Sequence, residues 1–248
     1  MKKLTTNFTI LSSVGLLLAS FASQAQAAPQ IFFGEYQPGN SSNAATQAER
    51  DFLSNFDNIF VEDFESFTPG ESASVENPFI LNFGDSTATL TGGGQVRDAD
   101  FNGLHSISGR NYWSLTFGEQ VQDTYVINFD RSQAAFGFWA TDMGDAGIND
   151  FSLKFLFEDG GEEIVNIPHT LGSPDASELY FGYLSPDRLF SSVEFLADGP
   201  ISRDGFGLDN VALGTREQVQ SVPEPTSLLG IFVVAAFGKV LARKRSIA

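Results

Sequence analysis

The chain has 248 residues, with 14 Lys and Arg against 31 Asp and Glu, and carries a formal net charge of −17 at pH 7. So acidic a surface repels phosphate backbones, which sets aside nucleic acid as a partner. Cysteine is absent while phenylalanine occurs 25 times, which excludes thiol nucleophiles, zinc–thiolate centres and iron–sulfur clusters and points to an aromatic core between sheets.

Lys2 and Lys3 precede an apolar run from Ile10 to Ala22, and Ala25-Gln26-Ala27 has the small-x-small form that a signal peptidase needs. Residues 1–27 are therefore expected to be a signal peptide, handled by the Sec export machinery and signal peptidase, leaving Ala28 as the mature N-terminus. Residues 28–217 make one domain by length, followed by a polar linker, 218–225. Between residues 28 and 222 there are 8 Lys and Arg against 30 Asp and Glu, a net charge of −22. A domain of this size buries enough apolar surface to fold without disulfides.

The first element expected in the domain is a helix within residues 40–58. Ser41, Ser42 and Asn43 offer N-caps, and Ala44 to Phe56 are good helix formers. Strands follow. "IFVEDFESF", "PFILNF" and "TATLTG" lead to "YWSLTF", where Trp113, Leu115 and Phe117 share a face. Tyr125, Ile127 and Phe129 do the same in "TYVINF", and "AAFGFWAT" comes next. In "FSLKFLFE" Phe151, Leu153, Phe155 and Phe157 alternate, Asp159-Gly160-Gly161 supplies a tight turn, and "EEIVNI" returns as the partner strand. "ELYFGYL", "SSVEFLA" and "GFGLDNVAL" complete a set of about ten short strands, the pattern of an all-β antiparallel sandwich of jelly-roll type.

Three stretches could carry chemistry. In "DADFNG", Asp98, Asp100 and Asn102 stand two apart with Gly103 next, the opening of a calcium loop in which alternate oxygens point inward. The twelfth position is Gly109 rather than an acid, so a complete site needs a ligand from elsewhere or a water-rich shell; otherwise these residues serve tight turn geometry. A second acidic loop holds Asp142, Asp145 and Asp150 with glycines at 144 and 147. Just before it, Trp139 points away from Phe136 and Phe138; it either belongs to a core or offers a flat face to a sugar ring. In "DGFGLDN", one of Asp209 and Asn210 faces inward and needs backbone donors or a metal. His105 and His169 fit no metalloprotease pattern, and no nucleophile elbow or phosphate-binding glycine loop occurs.

The tail combines Val222-Pro223-Glu224-Pro225, an apolar run in 226–248 and the cluster Arg243-Lys244-Arg245. The prolines hold the chain extended, so a helix begins no earlier than Thr226. Thr226 to Ala242 spans roughly 25 Å as a helix, against a hydrocarbon core of about 30 Å. Lys239 can snorkel to the headgroups, and the basic cluster is a cytoplasmic stop. This arrangement resembles the PEP-CTERM sorting tail of bacterial surface proteins, with Lys239 as a departure within the apolar run. The resemblance implies an exosortase as processing partner and an association with exopolysaccharide and biofilm matrix. "AFGFWATDMGD" and "DGFGLDNVALG" also resemble lectin-like or carbohydrate-binding-module β-sandwiches.

The expectation from sequence is an exported, non-catalytic module of the cell surface or extracellular matrix, membrane-anchored at least transiently by its C-terminal helix. Its expected contacts are exopolysaccharide and calcium. A glycan-acting hydrolase and a purely structural surface protein are the alternatives.

Overall fold

In a computed structural model, the residues described are 28–37, 44–117, 125–144, 151–197 and 204–220. The signal peptide with Ala25 and Ala27, Asp145, and the tail from residue 221, including Val222 to Pro225 and Arg243 to Arg245, lie outside them. Among the described residues no helix is long and apolar enough to cross a membrane.

The strands in chain order are β1 (Gln30–Tyr36), β2 (Phe60–Glu62), β3 (Phe79–Phe83), β4 (Ser86–Thr91), β5 (Gln95–Arg97), β6 (Tyr112–Phe117) and β7 (Tyr125–Gln133). They continue with β8 (Ala135–Thr141), β9 (Phe151–Phe157), β10 (Glu162–Asn166), β11 (Glu178–Leu184), β12 (Phe190–Ala197) and β13 (Asp204–Gly214). One helix, α1 (Ala44–Leu53), separates β1 from β2, and a 3-10 turn, Arg216–Gln218, follows β13.

These strands form two antiparallel sheets. The larger runs β1-β11-β8-β13-β6-β5, with β2 also on β13; the smaller runs β10-β9-β12-β7-β4-β3. From β6 to β13 the chain gives the order 6-13-8-11 in one sheet and 7-12-9-10 in the other, which is the winding of a jelly roll. The expected all-β sandwich and its N-terminal helix are both present. β1 and β5 were not foreseen: β1 directly follows the expected cleavage site, and β5 is only three residues long.

Period-two alternation builds the core. Phe151, Leu153, Phe155 and Phe157 of β9 are buried between the sheets, against Phe136 and Phe138 of β8, Phe181 and Tyr183 of β11 and Phe195 of β12. Phe155 stacks on Tyr183 with ring centroids 4.1 Å apart, and Phe138 meets Phe195 edge-on at 5.4 Å. Each such ring stabilises the fold by roughly 2–3 kcal/mol through burial.

The larger sheet has a second core on its outer face. Ala45, Ala48 and Phe52 recur at helical spacing, so α1 lays one apolar stripe over Trp139 and Tyr180. Gly34 permits this approach, because a Cβ there would collide with the Ala44 carbonyl. Among the described residues no helix covers the opposite face of the smaller sheet; its middle carries a Lys154–Glu194 ion pair, with Leu156 and Ile164 exposed nearby.

Candidate functional site

Alternation on β6 that buries Trp113, Leu115 and Phe117 sends Ser114 and Thr116 to the outer face of the larger sheet. Gln95 of β5 pairs directly with Ser114 and shares that face. On the far side of β5 the segment Gly70–Ala73 continues the ladder: the Gly70 N–H donates to the Val96 carbonyl at 2.8 Å and the Val96 N–H to Glu71 at 2.8 Å. Ser72 is thereby set opposite Gln95. Ser72, Gly94, Gln95, Ser114, Thr116 and Tyr125 line a cleft of about 190 Å³. Among the described residues its lining holds hydroxyls, an amide and backbone, with no carboxylate and no histidine.

The cleft owes its shape to "TGGGQ". Gly92, Gly93 and Gly94 have φ of +104°, +146° and +95°, a region that side chains other than glycine rarely enter. They carry the chain from β4 in one sheet to β5 in the other. A Cβ on Gly94 would collide with the Trp113 indole, and one on Gly93 would lie 3.0 Å from the Tyr125 ring. The Tyr125 hydroxyl donates to the Thr116 carbonyl, fastening the smaller sheet to the larger at the cleft.

An aromatic side chain is linked to this cleft. Phe101 is 48% exposed, and the Arg97 guanidinium lies 4.5 Å above its ring centroid. With the Gln95 amide oxygen turned to it, Arg97 also donates from Nη2 at 2.7 Å and Nε at 3.1 Å. Gln95 therefore links the cleft to the Arg97–Phe101 pair.

The loop carrying Phe101 is clamped at several points. The Glu65 carboxylate accepts the Arg110 and Asn111 N–H groups at 2.6 and 2.5 Å, and these bonds hold its carboxyl below the usual range. Asp209 Oδ2 accepts the N–H groups of Ile107 at 2.7 Å and Ser108 at 3.0 Å, and its Oδ1 accepts that of Asn210 at 2.7 Å. Asp209 is 0% exposed, and burial pushes its carboxyl up to about 6 against the pull of those three donors. A bulge between Asp209 and Ala212, with Asn210 at φ +46°, sets this side chain under the loop. His105 bonds through Nε2 to Glu178 at 3.2 Å, and that contact raises its pKa.

The sequence-based candidates fall as follows. Asp98 is paired with Arg110 at 3.2 Å, Asn102 occupies the left-handed region at φ +48°, and Gly103 follows at +88°. A Cβ on Gly103 would collide with the Asp142 carboxylate, so the two acidic loops do meet. Their junction is closed by protein groups. Asp142 is 2% exposed; its Oδ1 accepts the Ala176 N–H at 2.8 Å and its own N–H donates to Ser177 at 2.7 Å. Among the described residues no three acidic or histidine side chains converge as metal ligands would, and calcium at Asp98, Asp100, Asn102 and Asp142 stays an expectation carried by the sequence spacing alone. The glycine at 103 makes room for a carboxylate that belongs to the fold.

Trp139 lies on the face away from Phe136 and Phe138, as alternation requires, but that face is roofed by α1. It is 4% exposed, and its Nε1–H donates to Glu49 at 2.8 Å. Among the described residues the exposed aromatic side chains are instead Phe101 and Phe60, 48% and 44% exposed. Sequence reasoning passed over the cleft residues, whose signals were the outward hydroxyls of "YWSLTF" and three consecutive glycines before a short strand.

No protein-family model and no curated protein matches the chain. Among solved structures, it is similar to the K2 cleaved adhesin domain of Lys-gingipain, at 13% identity and a TM-score of 0.38, over 63% of this chain and 98% of that one. It is also similar to the C-terminal family 22 carbohydrate-binding module of Clostridium thermocellum Xyn10B, at 14% identity and a TM-score of 0.27, over 67% of this chain and 97% of that one.

Proposed function

We propose that this chain is an exported cell-surface or matrix protein whose jelly roll contacts polysaccharide without catalysing its cleavage. The observation that carries this reading is the cleft of hydroxyl and amide groups, joined through Gln95 and Arg97 to the exposed Phe101. A sugar ring presents hydroxyls at its edge and C–H groups on its face. The first match Ser72, Gln95, Ser114 and Thr116, and the second match an aromatic platform. The leader at 1–27 and the Pro223-Glu224-Pro225 tail support export and exosortase-type sorting.

The test is binding of the full chain, purified in mild detergent, to a panel of bacterial polysaccharides, with calcium and again with chelator. Binding that survives chelation and falls with Thr116→Ala or Phe101→Ala supports the cleft. Binding lost only in chelator would return the acidic loops to consideration. Absence of binding in both conditions would leave a structural surface protein. Sorting is tested separately: intact mass of surface-recovered protein should lack about the last 20 residues, as processing near the Pro-Glu-Pro motif requires, and a full-length tail throughout would mean an ordinary anchor.

A further inference from the structure

Resting on that reading, we infer that the cleft takes a polysaccharide bearing carboxylated sugars, with Arg97 holding the carboxylate and Phe101 supporting the ring beside it.

Arg97 is one of three described Lys or Arg residues without an ion pair; the other two, Arg50 and Arg216, are exposed and donate to Gln47 and to the Pro186 carbonyl. Arg110, Arg131, Lys154 and Arg188 each sit within ion-pair distance of a carboxylate. Arg97, in a region with 30 acids to 8 bases, faces none among the described residues. Its nearest acidic neighbour in sequence, Asp98, is taken by Arg110. Arg97 is instead half-buried and fixed by neutral groups: the Phe101 ring on one face and the Gln95 amide along its Nε–Nη2 edge. Tyr112 stands opposite it on β6. A guanidinium held in this way has its planar fork pre-organised, and its Nη1 side is left for an acceptor. A carboxylate fits that fork with two parallel hydrogen bonds. The sugar that carries it would then extend over Gln95 into the hydroxyl-lined cleft.

The acidic surface does not forbid this ligand. At physiological ionic strength charges more than about 8 Å apart are largely screened, so the contact with Arg97 outweighs distant carboxylates. It does mean that only a carboxylate brought to this one position is favoured, which makes the arginine a determinant of specificity.

The experiment uses the full chain in mild detergent with chelator throughout, and two probes with the same backbone: polygalacturonate and its carboxyl-reduced, neutral form. The wild type should bind the acidic polymer, and Arg97→Gln should weaken that binding by about tenfold or more, the effect of losing hydrogen bonds to a charged group. Arg97→Lys, which keeps the charge without the fork, should fall between them, and for both variants the loss of affinity should be larger for the acidic polymer than for the neutral one. Melting temperatures and near-UV circular dichroism equal to wild type establish that the variants are folded. Equal binding of both polymers by the wild type and by Arg97→Gln would overturn the inference while leaving glycan binding intact. If the wild type binds neither these probes nor any polymer of the panel above, the underlying reading falls, and the inference with it.

Discussion

Asp209→Asn tests the physics of the loop that carries Phe101. Asp209 is a carboxylate with no solvent contact, and its pKa is pushed up to about 6 from an ordinary 3.8. The sign follows from proton counts. Between those two values the folded protein binds a proton that the unfolded chain does not, so stability from this group is full below pH 3.8 and is lost as pH rises through 6. The full difference is about 3 kcal/mol, and about 2 kcal/mol of it develops between pH 4.5 and 7.5. Asparagine cannot titrate, and its NH2 cannot accept from the N–H groups that the second carboxylate oxygen served, which costs about 1–3 kcal/mol at every pH. Urea unfolding of both proteins at pH 4.5 and 7.5 separates the two effects. The stability of wild type minus variant should fall by about 2 kcal/mol on going to the higher pH, whatever its absolute value. A difference independent of pH would refute the claim that a buried, titrating Asp209 holds the loop.

Gly103→Ala should destabilise by roughly 2–4 kcal/mol, since it adds a clash with Asp142 to the strain of φ +88°. Gly160→Ala, at φ +78° with nothing within 4 Å, should cost only about 1 kcal/mol; thermal unfolding ranks them, and equal losses would remove the packing argument. Trp139→Phe should cost about 1–3 kcal/mol through the unpaired Glu49 carboxylate, yet leave polysaccharide binding unchanged; a folded variant that no longer binds would restore Trp139 as a platform. The His105 ring should titrate above its ordinary 6.5 by NMR and move down in Glu178→Gln, because its stabilising contact is present below 6.5 and lost as pH rises through the raised value. An unmoved titration in the variant would assign the shift to another neighbour.

The sandwich was legible because strands such as β3, β4 and β9 alternate with period two. Phe151, Leu153, Phe155 and Phe157 can be placed on one face with no other knowledge, and Ala44 onwards reads as helix from its composition alone. What alternation cannot reveal is which outer face will be covered. Trp139 and Ser114 both point outward from the same sheet; one meets α1 and the other opens to a cleft. That outcome depends on where an element more than 80 residues away in the chain docks. "DADFNG" supports two readings for a related reason. A glycine at φ +88° and alternating oxygens are what a metal loop requires, and they are equally what a loop requires when it must pass over a buried carboxylate. That one of Asp209 and Asn210 needs partners was legible; that it is Asp209, and that two of its donors are N–H groups about 100 residues earlier, was not.

The position of the cleft along β13 has a geometric consequence. Ser114 and Thr116 stand opposite Gly207 and Gly205, near the start of that strand. The strand ends at Gly214, and the chain then turns back under α1, where the Gln220 N–H donates to the Asn55 carbonyl at 2.8 Å. From Gly205 to Gly214 the strand covers about 25–30 Å. The point where the domain hands over to its tail and the opening that would meet a polymer therefore lie at opposite ends of one strand. A tag or tether attached after Gln220 leaves the domain at the end of the sandwich away from the cleft.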